Sequence, residues 1–141
     1  MSSAIWINAL KEGKVTSNEV DRWAILKFAD KLDALCDKLA ITKLSDFHDT
    51  TDLEANLAPE EEDDEDLPDT YELMAEKGKW FSPRTGIEVM DSLIESLKAK
   101  PVRFGLITDH SAEVLTDLEE CRLVLQELEN EGSMFHLCIV M

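Results

Sequence analysis

The chain has 141 residues, 44% of them hydrophobic, and a formal charge of -17. That length fits one domain with a core of its own. The charge argues against nucleic acid and anionic membrane surfaces as partners, since both attract clustered Lys and Arg, and no apolar run nears the ~20 residues that span a bilayer.

The start, Met1-Ser2-Ser3-Ala4-Ile5-Trp6, lacks a basic stretch followed by a long apolar one, so no secretory signal is expected. Ala4 to Leu10 is a short apolar run that reads as a strand, and Lys11-Glu12-Gly13-Lys14 reads as a turn. Val15-Thr16 then forms a brief return strand. Ser17 is the expected N-cap of a helix. Behind it, Ile25, Phe28, Leu32, Leu35 and Leu39 recur at three- and four-residue steps. That stripe predicts one amphipathic helix of about five turns.

The middle of the chain differs. Residues 44–76 hold fourteen of the thirty-one acids and none of the fourteen bases. Seventeen acids and fourteen bases remain for everything else, so the acidity is local rather than a general surface style. Glu60, Glu61, Glu62, Asp63, Asp64, Glu65 and Asp66 follow one another without interruption. Charges this dense repel, and no apolar face offsets the entropy of ordering them. A mobile acidic loop at about 58–70 is expected. Leu44, Phe47 and Leu53 to Leu57 anchor what precedes it, and Tyr71, Leu73, Met74, Trp80 and Phe81 bring the chain back to the core.

Ser82-Pro83 predicts a helix start, with Pro at the first helical position; Thr85 and Glu88 offer a competing capping box. Ile87, Met90, Leu93, Ile94 and Leu97 form its buried stripe, and Pro101 ends it. Residues 102–107 fit either a short strand or a packed connection. Asp109 or Ser111 caps a further helix with Val114, Leu118, Cys121, Leu125 and Leu128 inward and Gly132 as its stop. The final run, Met134 to Met141, is almost wholly apolar and rich in strand formers.

Both terminal runs are apolar on both faces, whereas a strand with one wet face alternates. The prediction is a single α+β domain over 1–141. Its N- and C-terminal strands pair in a small antiparallel sheet, packed with three amphipathic helices and the acidic loop. Three helices cover one sheet face more easily than two, so a homodimer closing the second face is expected, the alternative being that the middle segment folds over it.

Candidate chemistry is sparse. Cys36, Cys121 and Cys138 are odd in number and sit in apolar spacing, as small buried hydrophobes of a reducing compartment do; a cytoplasmic protein is expected. His48-Asp49 and Asp109-His110 resemble pieces of metal or phosphohydrolase sites. A metal site needs ligands at fixed spacing, yet no His-x-x-x-His, Cys-x-x-Cys or EF-hand pattern is present. Both pairs read as turn residues beside helix starts, and His136 as a hydrogen-bonded strand residue. Nucleophile elbows and glycine-rich phosphate loops are missing from the sequence too. No catalytic residue, metal or cofactor is assigned.

Ile5-Trp6-Ile7, Leu32-Asp33 through Leu57 with its Phe47-His48-Asp49-Thr50-Thr51-Asp52-Leu53 centre, Trp80-Phe81 and Phe135-His136-Leu137 resemble segments of small acidic bacterial proteins of uncharacterised function. In size and charge the chain is also similar to the immunity proteins of bacterial toxin systems. The resemblance implies a cytoplasmic bacterial protein that docks on a basic protein, a toxin for instance, and neutralises or regulates it. Residues 60–66 would be the docking surface, since a negative field speeds association with a cationic target. The alternative is a small enzyme or metal- or ligand-binding protein with a pocket near His48, Asp49, Asp52 and Trp80.

Overall fold

A computed structural model describes residues 4–51 and 70–140. The predicted acidic loop at 58–70 lies outside the described residues, apart from Thr70, the first residue of a helix. Among the described residues no helix is long and apolar enough to cross a membrane.

The chain runs β1 (Ala4–Lys11), β2 (Lys14–Asn18), α1 (Trp23–Lys27), α2 (Ala29–Leu39), a 3₁₀ turn (Leu44–Phe47) and β3 (His48–Asp49). After the undescribed stretch come α3 (Thr70–Lys77), α4 (Pro83–Ala99), α5 (Ser111–Glu131) and β4 (Met134–Val140). The four strands form one sheet in the order β2-β1-β4-β3. The terminal strands pair antiparallel as expected, with Ile7 opposite Leu137 and Asn8 opposite His136. The β1–β2 hairpin turns on Glu12 and Gly13, both at positive φ, as a two-residue hairpin loop with the right twist requires. To these antiparallel pairs the structure adds β3, which lies parallel to β4 with Asp49 opposite Cys138.

Alternation along β1 and β4 sends Ile5, Ile7, Ala9, Phe135 and Leu137 to one face. There they meet Ile25, Leu32 and Cys36 of α1 and α2, Ile87, Met90 and Leu93 of α4, and Val114, Leu118, Cys121 and Leu125 of α5. Gly86 lets α4 lean on this layer: a Cβ there would come within 2.6 Å of the Phe135 ring and 2.8 Å of Leu125. All three cysteines are buried and none forms a disulfide; burial pushes the Cys121 thiol up to about 12.

Two local expectations need correction. The predicted five-turn helix is two helices, broken at Phe28 (φ -105°, ψ 24°), where the ring turns to pack 5.5 Å from Phe104. Ser17 caps no helix. Hairpin pairing claims it for β2, opposite Asn8, and the start of α1 is satisfied from far along the chain: the Ala24 amide donates to Asp117 of α5 at 3.0 Å. Of the two readings that residues 102–107 left open, strand or packed connection, the structure has the connection. Elsewhere Pro83 opens α4 as predicted, and Gly132 closes α5 in the left-handed conformation (φ 73°).

Candidate functional site

The second face of the sheet is built on polar side chains. Strand register places Ser17 of β2, Asn8 of β1 and His136 of β4 in one row, with Asp49 of β3 beyond them. Ser17 Oγ donates to Asn8 Oδ1 at 2.7 Å. The Asn8 amide lies 3.1 Å from His136 Nε2 and 3.3 Å from Met74 Sδ. His136 Nδ1 sits 2.9 Å from the carbonyl oxygen of Lys79. A carbonyl only accepts, so Nδ1 carries the proton and Nε2 accepts from Asn8. His136 is 0% exposed, and burial holds its pKa below the ordinary value, against the opposing pull of Asp49 and of the Lys79 carbonyl. It is a neutral imidazole at neutral pH.

Asp49 is buried, and both of its oxygens accept hydrogen bonds. Its Oδ1 accepts from the Lys79 amide at 3.0 Å and from Thr51 Oγ1 at 3.1 Å, and its Oδ2 accepts from the Thr51 amide at 3.1 Å. Trp80 stacks on His136 with ring centroids 4.0 Å apart, and its indole donates to the Met74 carbonyl at 2.9 Å. Met74, Cys138, Trp6, Val15 and Trp80 pack around this row. Met74 and Trp80, which follow the acidic stretch, therefore lie over the second sheet face, where a partner subunit was expected.

The Lys79 amide donates to Asp49, so the chain before residue 50 and the chain after residue 78 are joined beside the sheet. The sequence between them, residues 50–78, carries twelve acids and one base, Lys77. Of the four residues predicted to line a pocket, Asp49 and Trp80 do converge on His136. His48 does not: it stands opposite Leu137, on the first face, and burial lowers its pKa. Asp52 lies outside the described residues, as do Glu60, Glu61, Glu62, Asp63, Asp64, Glu65 and Asp66.

Chemically the row is closed. Both nitrogens of His136 are engaged, its ring is covered by Trp80, and Ser17 reaches Asn8 rather than the imidazole. With its Nε2 lone pair accepting from Asn8, the imidazole has no free acceptor to offer a substrate's proton in this arrangement. Among the described residues no group of three or more His, Cys, Asp and Glu side chains is placed to hold a metal ion. The centrality of His136 and Asn8 was hidden in the sequence because both sit inside apolar runs. The one available sign was that each is a polar residue with apolar neighbours on both sides in its strand. Compared with known protein families, curated proteins and solved structures, the chain matches none of them.

Proposed function

We propose that the chain is a docking protein of the bacterial cytoplasm. It engages a basic protein through Glu60, Glu61, Glu62, Asp63, Asp64, Glu65 and Asp66, as an immunity protein engages its toxin. The observation that carries this reading is the charge of residues 50–78, twelve acids and one base, in a stretch whose flanking residues are joined by the Asp49–Lys79 hydrogen bond. The rest of the chain is far closer to balance in charge, so this stretch dominates the negative field. Such a field raises the encounter rate with a cationic partner and disfavours acidic ones.

The test replaces Glu61, Glu62, Asp63, Asp64 and Glu65 with their amides. The intact chain, immobilised in cytosol of its source, retains a basic protein at about 0.05 M salt and releases it by ~0.5 M, where the Debye length falls to a few Å. The amide variant retains none of it, and keeps its stability within about 0.5 kcal/mol, as surface changes do. Equal capture by the variant, or capture only of acidic proteins, rejects the reading.

A further inference from the structure

The polar row of the second sheet face has a direction, and one proton reverses it. The Lys79 carbonyl accepts only, which fixes the proton of neutral His136 on Nδ1. Nε2 is then an acceptor, so Asn8 turns its amide nitrogen toward it, 3.1 Å away. That leaves Asn8 Oδ1 for the Ser17 hydroxyl at 2.7 Å. The same amide nitrogen reaches Met74 Sδ at 3.3 Å. Met74 is the buried residue by which α3 rests on this face, and α3 packs against β2. One side-chain amide therefore serves an imidazole and a thioether together, and the imidazole's protonation sets which way it points.

A second proton on His136 makes Nε2 a donor facing a donor. Asn8 resolves this by turning its amide over. Oδ1 then accepts from Nε2, and Nδ2 donates to the Ser17 oxygen, since a hydroxyl serves in either sense. Each bond of the row survives except the one to Met74, whose sulfur now faces an oxygen. Trp80, stacked on the ring at 4.0 Å, keeps its place, because an indole face attracts a cation.

The groups around the ring hold the charge. Asp49 of β3 brings Oδ2 to 3.8 Å from Nε2. β1 presents Asn8, β2 Ser17 and α3 Met74. β4 adds the Cys138 thiol, two residues along on the same face, and Glu76, Lys77 and Lys79 are exposed. Burial opposes the proton and Asp49 favours it, with burial the stronger, so the folded chain takes it up below the usual 6.5. We infer that His136, Asn8 and Met74 form a proton-operated latch: when His136 is protonated the Asn8 amide reverses, Met74 loses its donor, and α3 loosens from the sheet while Trp80 stays on the ring.

Nuclear magnetic resonance of the full chain, acidified stepwise from about pH 7.5, decides it. The His136 ring protons and the Asn8 side-chain amide protons move with one midpoint. Through that midpoint, protection from amide exchange falls severalfold at Met74 and Ala75, whereas α4, α5 and the Trp80 indole signal hold. Met74→Leu, close in volume, removes the sulfur. His136 and Asn8 still move together in it, and α3 protection no longer follows them. Asn8→Asp supplies a standing acceptor and lifts the His136 midpoint by about one unit or more, as an opposite charge at this range does. A His136 that takes no proton before the fold is lost overturns the inference, and so does an Asn8 amide that stays still. Loss of α3 protection that persists in Met74→Leu overturns it too. If Trp80 leaves the ring at the same midpoint, the face opens as a whole and the latch is wrong.

Discussion

The two faces of one small sheet are closed by different physics. The first buries Ile5, Ile7, Phe135 and Leu137 under four helices, and its stability comes from apolar area and close packing. The second buries Asn8, Asp49 and His136 under one short helix and one indole, and its order comes from hydrogen bonds whose donors and acceptors are matched one to one. An apolar face tolerates many sequences of the right volume. A polar row tolerates few, because each lost partner strands another group in a place water does not reach. A segment dense in like charge has little apolar surface with which to hold itself down. Directional bonds at its two ends serve where packing cannot.

The contrast is broken most severely from the first face. Phe135 is fully buried, 5.2 Å from the Phe47 ring, and stands against Gly86 of α4. Phe135→Ala removes a large core ring and leaves a cavity, at an expected cost of about 3–5 kcal/mol. A domain has only about 5–15 kcal/mol in total. Chemical denaturation of the variant checks this, and an unchanged midpoint would mean that α4 and α5 do not rest on the sheet.

A smaller loss is expected from the second face. Asp49→Ala removes the acceptor of two amides and a hydroxyl, at about 1–3 kcal/mol for the groups left unsatisfied. The effect is local as well as global. Amide exchange at Lys79 and Thr51 should quicken by more than exchange in α4 and α5, because the polar row opens before the core does. Uniform loss of protection across the molecule would show instead that both faces unfold as one unit.

How much of this the sequence disclosed follows the same division. Periodic apolar spacing named the inner stripes of α4 and α5, because burial against a core imposes that spacing, and the apolar character of both terminal runs on both faces pointed to their pairing. It misread features fixed at long range. Ser17 satisfies every local rule for a helix cap, yet sheet pairing takes it. The capping group comes instead from Asp117, ninety-three positions after Ala24. The two residues of β3 are too few to show alternation. Asp49 and Trp80 were both singled out, but the group that joins them, His136, was read only as a strand histidine. Its neighbours are three strands and a returning loop that no window of sequence contains. His48 and Asp49 looked like a pair, and strand alternation places them on opposite faces.

The smallest expected effect is a dependence on pH that the polar face introduces. Burial depresses the pKa of His136 below its usual 6.5, so on acidification the unfolded chain takes up this proton first. Stability rises with pH wherever the unfolded state binds more protons. The contribution of His136 is therefore complete above about pH 6.5 and declines as pH falls toward its folded value, with a slope of at most about 1.4 kcal/mol per pH unit. His48 is depressed by burial as well and adds a slope of the same sign. Asp117 runs opposite: burial raises its pKa from 3.8, so its contribution grows on acidification, nearer the carboxylate range. Measuring unfolding between about pH 7.5 and 5.5 favours the histidines. The wild type should lose stability steadily over that interval. His136→Gln should be less stable at neutral pH but flatter on acidification, and its double variant with His48→Gln flatter still. A His136→Gln slope equal to that of the wild type would mean that the imidazole gains its proton in place, with Asp49 Oδ2, 3.8 Å from Nε2, close enough to hold the charge.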